Sequence, residues 1–297
     1  MPNLLRNCPK KSLWLFICTS DDESFMKDIA YFAEQIKFKQ NKRDNNFLFF
    51  TNNIGLYTLR GILENKGIKP RIFSRDKFKR VIKLTNRISK RIPFLGCVVS
   101  SHGNPVLKGI ENLEMPPNDL IKILGETPGL KQSLLLLGQC YSGIYTTPAN
   151  SKICVVGASR FGPSLCFGPT DGTESNIFLE YFAYCIKSPE DIDNDGKYTI
   201  LDCYKYAACR ASENLIKYKS GLYKTLDEER EKIKKLQMEL LIPELAEQAK
   251  SQAIAELGAT TIKFDNDMEI YHTYPEFWIS NHKLALNMEI KDFIHNV

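Results

Sequence analysis

The sequence predicts a three-layer α/β protein, in which helices cover both faces of a mostly parallel sheet. Short apolar runs recur through the first two thirds of the chain, as strands that are buried on both faces require. Segments with apolar residues at helical spacing separate these runs. Strand patterns that alternate with helix patterns are typical of βα units around a parallel sheet.

The elements follow from these patterns in chain order. Ser20, Asp21 and Ser24 are N-cap candidates for the first helix, and a pair of prolines opens the fourth. The predicted strands are residues 13–18, 47–50, 71–73, 94–99, 134–137 and 153–156, and the predicted helices are 20–37, 53–67, 77–91, 116–124, 176–186 and 199–218.

The composition changes from about Gly221 onward. Residues 225–257 are rich in Glu, Lys, Leu, Ala and Gln and predict a long amphipathic helix, which Pro243 kinks or splits. Residues 268–279 can hold a strand, which a proline would place at a sheet edge. We therefore predict a first domain at residues 1–220 and a helical C-terminal extension, packed on that domain, at residues 221–297.

Composition and charge exclude several classes of protein. The chain has 297 residues, of which 43% are hydrophobic and 25% charged, as in ordinary globular proteins rather than disordered ones. The net charge of +5 comes from scattered basic residues, so no nucleic-acid partner is predicted. The apolar run at 13–18 is too short for a signal peptide or a membrane span. We expect a cytoplasmic protein, with export by a non-classical route and the oligomeric state left open.

The nine cysteines do not have the pattern of a disulfide framework. Their number is odd, their spacings are scattered, and no pair has the Cys-x-x-Cys spacing of zinc and redox sites. Most of them are expected to be buried free thiols in a reducing compartment. They stand at positions 8, 18, 97, 140, 154, 166, 185, 203 and 209.

Two predicted strands lead into reactive side chains. Residues 94–99 are followed closely by His102 and Gly103, and residues 134–137 are followed closely by Cys140. Reactive groups in parallel sheets lie beyond the carboxyl ends of the strands. If the two strands are neighbours, the histidine and the cysteine lie side by side, as nucleophilic catalysis by a Cys/His pair requires.

Each of these residues has an expected chemical role. The imidazole of His102 would favour the thiolate of Cys140 and later protonate a leaving amine. Gly103 would let its backbone N–H approach a developing oxyanion, and the N–H of Cys140 would be the second donor. The alternative is a buried thiol and a turn histidine, but His102 alone among the four histidines stands directly after a buried strand.

These two segments resemble the caspase-like cysteine peptidases, a group that includes legumains, metacaspases, caspases, gingipains and separases. The interval of 38 residues between His102 and Cys140 fits that group. The segment 139–143, Gln-Cys-Tyr-Ser-Gly, is most similar to the Cys-x-Ser-Gly of the bacterial legumain-type and metacaspase branch. Residues 153–166 resemble the next strand and Ala-Ser turn of that branch. The similarity covers about residues 12–215 and is specific only at the two catalytic segments.

The resemblance implies a caspase-like fold and a cysteine endopeptidase that acts on peptides or proteins. Cys140 would attack the scissile carbonyl to give an acyl-enzyme intermediate, and His102 would act as acid and base. A legumain-like transamidase passes through the same intermediate and stays open as an alternative. A caspase-like binding or effector module with little turnover is the alternative from another class.

The chain departs from this family at Gly138. Metacaspases and legumains carry an acid at this place, two residues before the cysteine, so the charge expected in the S1 pocket is missing. Asp21, Asp22, Ser159 or Asp171 could line the pocket instead, because the loops that hold them border the pocket in relatives. The P1 specificity is left open, and a pocket for an uncharged side chain also fits.

A possible metal loop lies between the last two predicted helices of the first domain. Asp191, Asp193, Asp195 and Asp202 match positions 1, 3, 5 and 12 of an EF-hand loop, with glycine at position 6 and Lys197 at position 7. An aspartate at position 12 is short for bidentate binding, and the loop is single. The pattern therefore predicts a weak Ca²⁺ or Mg²⁺-like site, or an Asp-rich cap on the following helix.

Overall fold

The computed structural model describes residues 12–37, 47–88, 92–104, 109–110, 113, 115–126, 129–145, 152–160, 164, 166–167, 175–239, 251–252, 255 and 276–294. The predicted α/β class with three layers is confirmed. The helices are α1 (Glu23–Lys37), α2 (Gly55–Asn65), α3 (Phe78–Ile88), α4 (Pro117–Gly125), α5 (Ile177–Lys187), α6 (Ile200–Glu239), α7 (His282–Ala285) and α8 (Ile290–Phe293).

Seven strands form the main sheet, in the order β11-β8-β7-β4-β1-β2-β3. All neighbours are parallel except β11, which pairs antiparallel with β8 at one edge. These strands are β1 (Ser12–Cys18), β2 (Phe47–Thr51), β3 (Ile72–Ser74), β4 (Phe94–Val99), β7 (Gln132–Leu137), β8 (Ile153–Gly157) and β11 (Trp278–Ile279). Two short hairpins lie outside the sheet, β5 (Gly103–Asn104) with β6 (Gly109–Ile110), and β9 (Cys166–Phe167) with β10 (Ser175–Asn176).

The central strands are buried on both faces because their side chains alternate between two hydrophobic clusters. On β1, Trp14 and Phe16 join the cluster that contains α1, α5 and the start of α6. Leu13 and Leu15 join the opposite cluster, which contains α3 and α4. A strand with two apolar faces needs helices on both sides, which is why its sequence is a continuous apolar run.

The strand order places a switch point at the centre of the sheet. From β1 the chain first adds β2 and β3 on one side, and then adds β4, β7 and β8 on the other. In open parallel sheets, ligands bind at the carboxyl edge near such a reversal of strand order. The ends of β4 and β7 therefore lie next to the place where a functional site is expected.

Helix α6 differs from its prediction in length. The sequence patterns predict one helix that ends near residue 218 and another that begins near 225, whereas α6 runs without a break from Ile200 to Glu239 through Gly221. One helical glycine costs only about 1 kcal/mol relative to alanine. Its helix-forming neighbours offset that cost, so the boundary predicted at residue 220 falls inside a helix. None of the described helices is both long and apolar enough to cross a lipid bilayer.

The described residues fall into two compact units. One contains those up to Arg210 together with those after Pro275, and the other contains those from Ala211 to Tyr274. Within the first unit, the last residues complete the sheet, because Trp278 pairs with Gly157 and Ile279 with Val156. This is the end of the edge strand expected at 268–279; residues 268–275 lie outside the described residues.

Candidate active site

His102 and Cys140 occupy equivalent positions on neighbouring strands. In the parallel pair of β4 and β7, Val99 lies opposite Leu137, and each reactive residue stands three positions after its member of that pair. The ladder continues past the strands, since the N–H of Gly138 donates to the carbonyl of Val99 at 2.8 Å. The predicted neighbourhood of the two strands is therefore confirmed, and both residues emerge at the carboxyl edge of the sheet.

Gly103 is pressed against the backbone of Cys140. A Cβ atom added at residue 103 would lie 1.7 Å from the carbonyl oxygen of Cys140 and 3.1 Å from its nitrogen. No side chain fits at that separation, so the contact requires glycine. The histidine segment and the cysteine segment therefore touch directly through their main chains, at the two residues whose N–H groups were predicted to form an oxyanion hole.

The thiol of Cys140 is half-buried and contacts a serine from a distant part of the chain. The backbone N–H of Ser164 donates to its sulfur at 3.2 Å, and the Ser164 hydroxyl lies 3.5 Å from the same atom. An anionic acceptor binds such donors more strongly than a neutral one does. Ser164 could not be identified as a site residue from the sequence, because no spacing rule links it to a cysteine 24 positions away.

The backbone next to Cys140 adopts an uncommon conformation. Tyr141 has a φ of 54°, in the left-handed region that residues with a side chain rarely occupy. Such conformations cluster at functional sites, where the surrounding contacts hold them in place. In this protein, the conformation of Tyr141 turns the chain sharply from the end of β7 into the short 3₁₀ helix Ser142–Tyr145.

The imidazole of His102 is exposed and rests on helix α1. Its ring packs edge-on against the ring of Phe25, with centroids 4.8 Å apart and an interplanar angle of 80°. Phe25 is itself buried in the cluster beneath α1. This contact supports one side of the imidazole while the side chain stays open to solvent.

The chain after Cys140 is tied to the end of β8 and to β11. The indole N–H of Trp278 donates to the carbonyl of Ser159 at 2.7 Å and to the hydroxyl of Ser142 at 3.1 Å. The N–H of Gly143 donates to the carbonyl of Arg160 at 2.7 Å. Three segments that are distant in sequence therefore hold the cysteine turn in one position.

Cys140 differs from the other described thiols in its surroundings. Burial raises the pKa of Cys18 and of Cys154 to about 12, and it also raises the pKa of Cys97 and of Cys203. Thiols of that kind remain protonated near neutral pH and are poor nucleophiles. Of the seven cysteines whose side-chain burial the structure describes, Cys140 is half-buried, Cys209 is exposed, and the other five are buried.

The residues predicted for a substrate pocket have different environments. Asp21 is exposed and accepts a hydrogen bond from the side chain of Asn52, whereas Asp22 accepts from the N–H of Ser24 at 2.8 Å and caps α1. Ser159 is 1% exposed, and its hydroxyl donates to the carbonyl of Gln139 at 3.2 Å. Asp171 lies outside the described residues. Asp21 and Asp22 are thus the described candidates whose side chains are exposed to solvent.

The predicted metal loop brings three of its carboxylates together. Asp191, Asp193 and Asp195 each offer an oxygen within 4.8 Å of the others. The oxygens of Asp191 accept the N–H groups of Asp195 at 3.1 Å and of Gly196 at 2.8 Å, which folds the loop around this side chain. Lys197 is exposed, and its N–H donates to Asp195 at 2.9 Å. The arrangement can hold a divalent cation, although Lys205 forms an ion pair with Asp193 at 2.9 Å.

Asp202 has a different place from the other aspartates of the loop. It is fully buried, and its oxygens accept the N–H of Ile192 at 3.1 Å and both the N–H and the hydroxyl of Thr199 at 2.9 and 2.6 Å. The N–H of Asp202 donates to the Thr199 hydroxyl in return at 3.3 Å. This is a capping box at the start of α6. It matches the cap that the sequence offered as the alternative to a metal ligand.

No protein-family model matches the sequence, and neither does any curated protein. The chemistry of this site therefore has to be inferred from its own residues.

Proposed function

We propose that the protein is a cysteine peptidase of caspase-like type that uses Cys140 and His102. The main support is the parallel pairing of β4 with β7. Val99 lies opposite Leu137, and His102 and Cys140 each follow their member of this pair by three residues. The close contact between Gly103 and the Cys140 peptide adds to it. The similarity of both segments to caspase-like peptidases points to the same chemistry.

The proposed reaction proceeds through two acyl transfers. The sulfur of Cys140 attacks the scissile carbonyl carbon, a C–S bond forms, and the C–N bond breaks as His102 donates a proton to the leaving amine. Water then attacks the thioester with His102 as the base, and the carboxylic acid and the free thiol are released. The N–H groups of Gly103 and Cys140 are the proposed donors to the oxyanion in both steps.

Replacement of the nucleophile tests this function. In a peptide library, Cys140→Ala is expected to abolish cleavage that the wild-type protein performs, and His102→Ala is expected to reduce it by at least about a hundredfold, because general acid–base catalysis supplies that much. Cys209→Ala is the matched control, since it removes another accessible thiol and should leave cleavage unchanged.

The outcomes separate the proposed function from its alternatives. Cleavage that persists in Cys140→Ala would rule out the proposed nucleophile. A wild-type protein that cleaves no library peptide would favour a binding or effector module. Ligated products formed when an amine nucleophile is added would identify a transamidase, which shares the acyl-enzyme.

We also propose that the loop with Asp191, Asp193 and Asp195 holds a Ca²⁺ ion. The support is the convergence of three carboxylate oxygens on one point, with the carbonyl of Lys197 at the position that supplies a backbone ligand in EF-hand loops. Asp202 stays outside this ligand set because its oxygens already accept hydrogen bonds within the protein. A set of three carboxylates, one of them paired with Lys205, implies weak binding.

A further inference from the structure

A buried carboxylate lies behind the candidate active site. Asp28 is on α1, on the helix face that packs against the sheet, and only 6% of its surface is exposed. Buried carboxylates are rare because an ionised group loses its hydration when it is buried. They occur where hydrogen bonds or a cation replace the lost water. The contacts of Asp28 therefore need an explanation.

The two oxygens of Asp28 reach different segments of the protein. Oδ2 accepts a hydrogen bond from the hydroxyl of Ser100 at 2.6 Å, and Oδ1 accepts one from the backbone N–H of Asn176 at 3.0 Å. Ser100 stands two residues before His102 on the extension of β4. One side of the carboxylate is therefore fastened to the chain that carries the histidine.

The other side is linked to the chain that carries the cysteine. The side-chain amide of Asn176 donates to the carbonyl of Gly138 at 2.6 Å, and Gly138 stands two residues before Cys140. The side-chain oxygen of Asn176 also accepts the N–H of Leu179 at 3.0 Å and caps α5. Asp28 thus connects to both reactive residues through one intermediary on each side.

Gly138 fits this arrangement for a steric reason. A Cβ atom at residue 138 would lie 2.4 Å from a methyl carbon of Leu179 and 3.2 Å from the carbonyl of Val99. A side chain at residue 138 would require the Leu179 side chain on α5 to move from its position beside the Asn176 cap. Glycine at residue 138 therefore lets Leu179 of α5 pack closely against the end of β7.

We propose that Asp28 is a positioning residue, which holds the histidine and cysteine segments in register through Ser100 and Asn176. The proposal rests on the proposed function of Cys140 and His102. Asp28 does not touch a substrate in this mechanism. It acts on the two chain segments just before the reactive residues, and its ionised form accepts both hydrogen bonds at once.

The charges around Asp28 argue against a role in stability alone. Burial, together with the acidic groups of Glu180 on α5 and Asp22 before α1, raises the pKa of the Asp28 carboxyl to about 6, although the bonds from Ser100 and Asn176 oppose this shift. The thiol of Cys18 on β1 is also close. Glu180 and Asp22 are acidic and favour the neutral form of Asp28, whereas the Cys18 thiol, whose pKa burial raises to about 12, is uncharged near neutral pH.

The sign of the effect on stability follows from this raised pKa. The folded protein retains the Asp28 proton to higher pH than the unfolded chain does, so the free energy of unfolding falls as pH rises from about 4 to about 6. Near neutral pH the charged carboxylate is destabilising compared with a neutral side chain of the same shape. A destabilising charge at the base of a site is expected where function requires it.

The test compares Asp28→Asn with the wild type in the full-length chain. We measure the rate at which iodoacetamide alkylates Cys140, located by mass spectrometry, together with the melting temperature at pH 5.0 and 7.5. The asparagine variant is expected to melt higher at pH 7.5 and to alkylate about tenfold more slowly there, which corresponds to the loss of one charge-assisted hydrogen bond. At pH 5.0, where the wild-type carboxyl is protonated, the two rates should agree.

Ser100→Ala tests the link to the histidine segment, and Ser133→Ala is its matched control. Ser133 is equally buried but lies at the start of β7, at the opposite end of the sheet. Ser100→Ala should slow alkylation, and adding it to Asp28→Asn should produce little further loss if both act through one contact. Ser133→Ala should leave the rate unchanged.

The readouts distinguish this proposal from the proposed function. Equal alkylation rates for wild type and Asp28→Asn at pH 7.5, or a lower melting temperature with no change in rate, would overturn the positioning role. A protein that cleaves no peptide but shows the predicted change in alkylation would contradict the peptidase function and still support the role of Asp28.

Discussion

At the scale of single residues, the geometry around Cys140 depends on close contacts that one extra carbon atom would destroy. Gly103 is the clearest case, because a Cβ there would overlap a backbone atom and not the movable end of a side chain. A backbone neighbour cannot rotate away. The two segments would have to separate instead.

This contact leads to a prediction for Gly103→Ala. We expect peptide cleavage and Cys140 alkylation to fall at least about tenfold, because a displacement of even 1 Å has large effects on catalysis. Gly61→Ala is the matched control, since a Cβ at Gly61 on α2 meets no atom within 4 Å. That variant should keep full activity and gain up to about 1 kcal/mol in unfolding free energy. Equal activity in the two variants would contradict the proposed contact.

At the scale of elements, the edge strand β11 supports the cysteine turn from outside the local sequence. Its Trp278 fills the space beside Gly157, where a Cβ would lie 2.2 Å from the indole nitrogen. The same nitrogen donates to Ser159 and Ser142. The C-terminal residues therefore contribute to the site through packing and hydrogen bonds, without a reactive group of their own.

Removal of the indole N–H tests this support. Trp278→Phe keeps an aromatic ring but loses the donor, and we expect the unfolding free energy to fall by about 1–3 kcal/mol and peptide cleavage to decrease several-fold. Thermal unfolding and kinetic measurements on the same samples check both effects.

Trp14→Phe is the control for Trp278→Phe. In the wild-type protein, the indole N–H of Trp14 donates to the carbonyl of Phe293 at 3.4 Å, in the core beneath α1. Trp14→Phe should lower the unfolding free energy and leave the rate of peptide cleavage unchanged. If both variants lose stability and neither loses activity, β11 does not position the cysteine turn.

At the scale of the whole molecule, the proposed Ca²⁺ loop offers a test through the stability of the entire fold. A ligand that binds only the native state stabilises it by RT ln(1 + [L]/Kd), so the melting temperature rises with the logarithm of the free ligand concentration. With Ca²⁺ in large excess over its dissociation constant, the gain is expected to be about 2–3 kcal/mol, or several degrees. Melting curves with Ca²⁺, with Mg²⁺ and with a chelator measure it.

Charge removal in the loop provides the comparison. Asp195→Asn keeps an oxygen that can accept the N–H of Lys197 but lacks the negative charge. The increase in melting temperature with Ca²⁺ should therefore shrink or vanish in this variant. Asp119→Asn, at an exposed position in the first turn of α4, should retain the full rise. If Ca²⁺ does not change the melting temperature of the wild-type protein, the proposed Ca²⁺ site is wrong.

Much of the fold could be predicted from the sequence because the strands are buried on both faces. Apolar runs as short as 13–18 and 94–99, each followed by polar residues, favour a buried strand over a buried helix, and the structure places strands at both. The continuity of α6 could not be predicted, since a helical glycine has a small cost that the neighbouring residues outweigh.

The placement of His102 and Cys140 just after two strands could also be predicted, but the hydrogen bonds that surround them could not. His102 and Cys140 each follow a strand, and that local pattern is visible in one sequence. The contacts of Asp28, Ser164 and Trp278 join positions that are far apart in the chain, and they depend on how the elements pack. The helical spacing of apolar residues places Asp28 in the first helix, but it gives no indication of the hydrogen bonds that Asp28 makes.

The support from Trp278 also determines when the site can become complete during synthesis. Ser142 and Trp278 are separated by 136 residues, so the cysteine turn is translated long before its bracing partner leaves the ribosome. Contacts of such large sequence separation form late, because closing the intervening chain costs entropy before any contact compensates for it. A nascent chain that still lacks Trp278 therefore contains His102 and Cys140 but not the hydrogen bond that braces the cysteine turn. The cysteine turn is therefore expected to reach its braced geometry only after Trp278 has been synthesised and β11 has paired with β8.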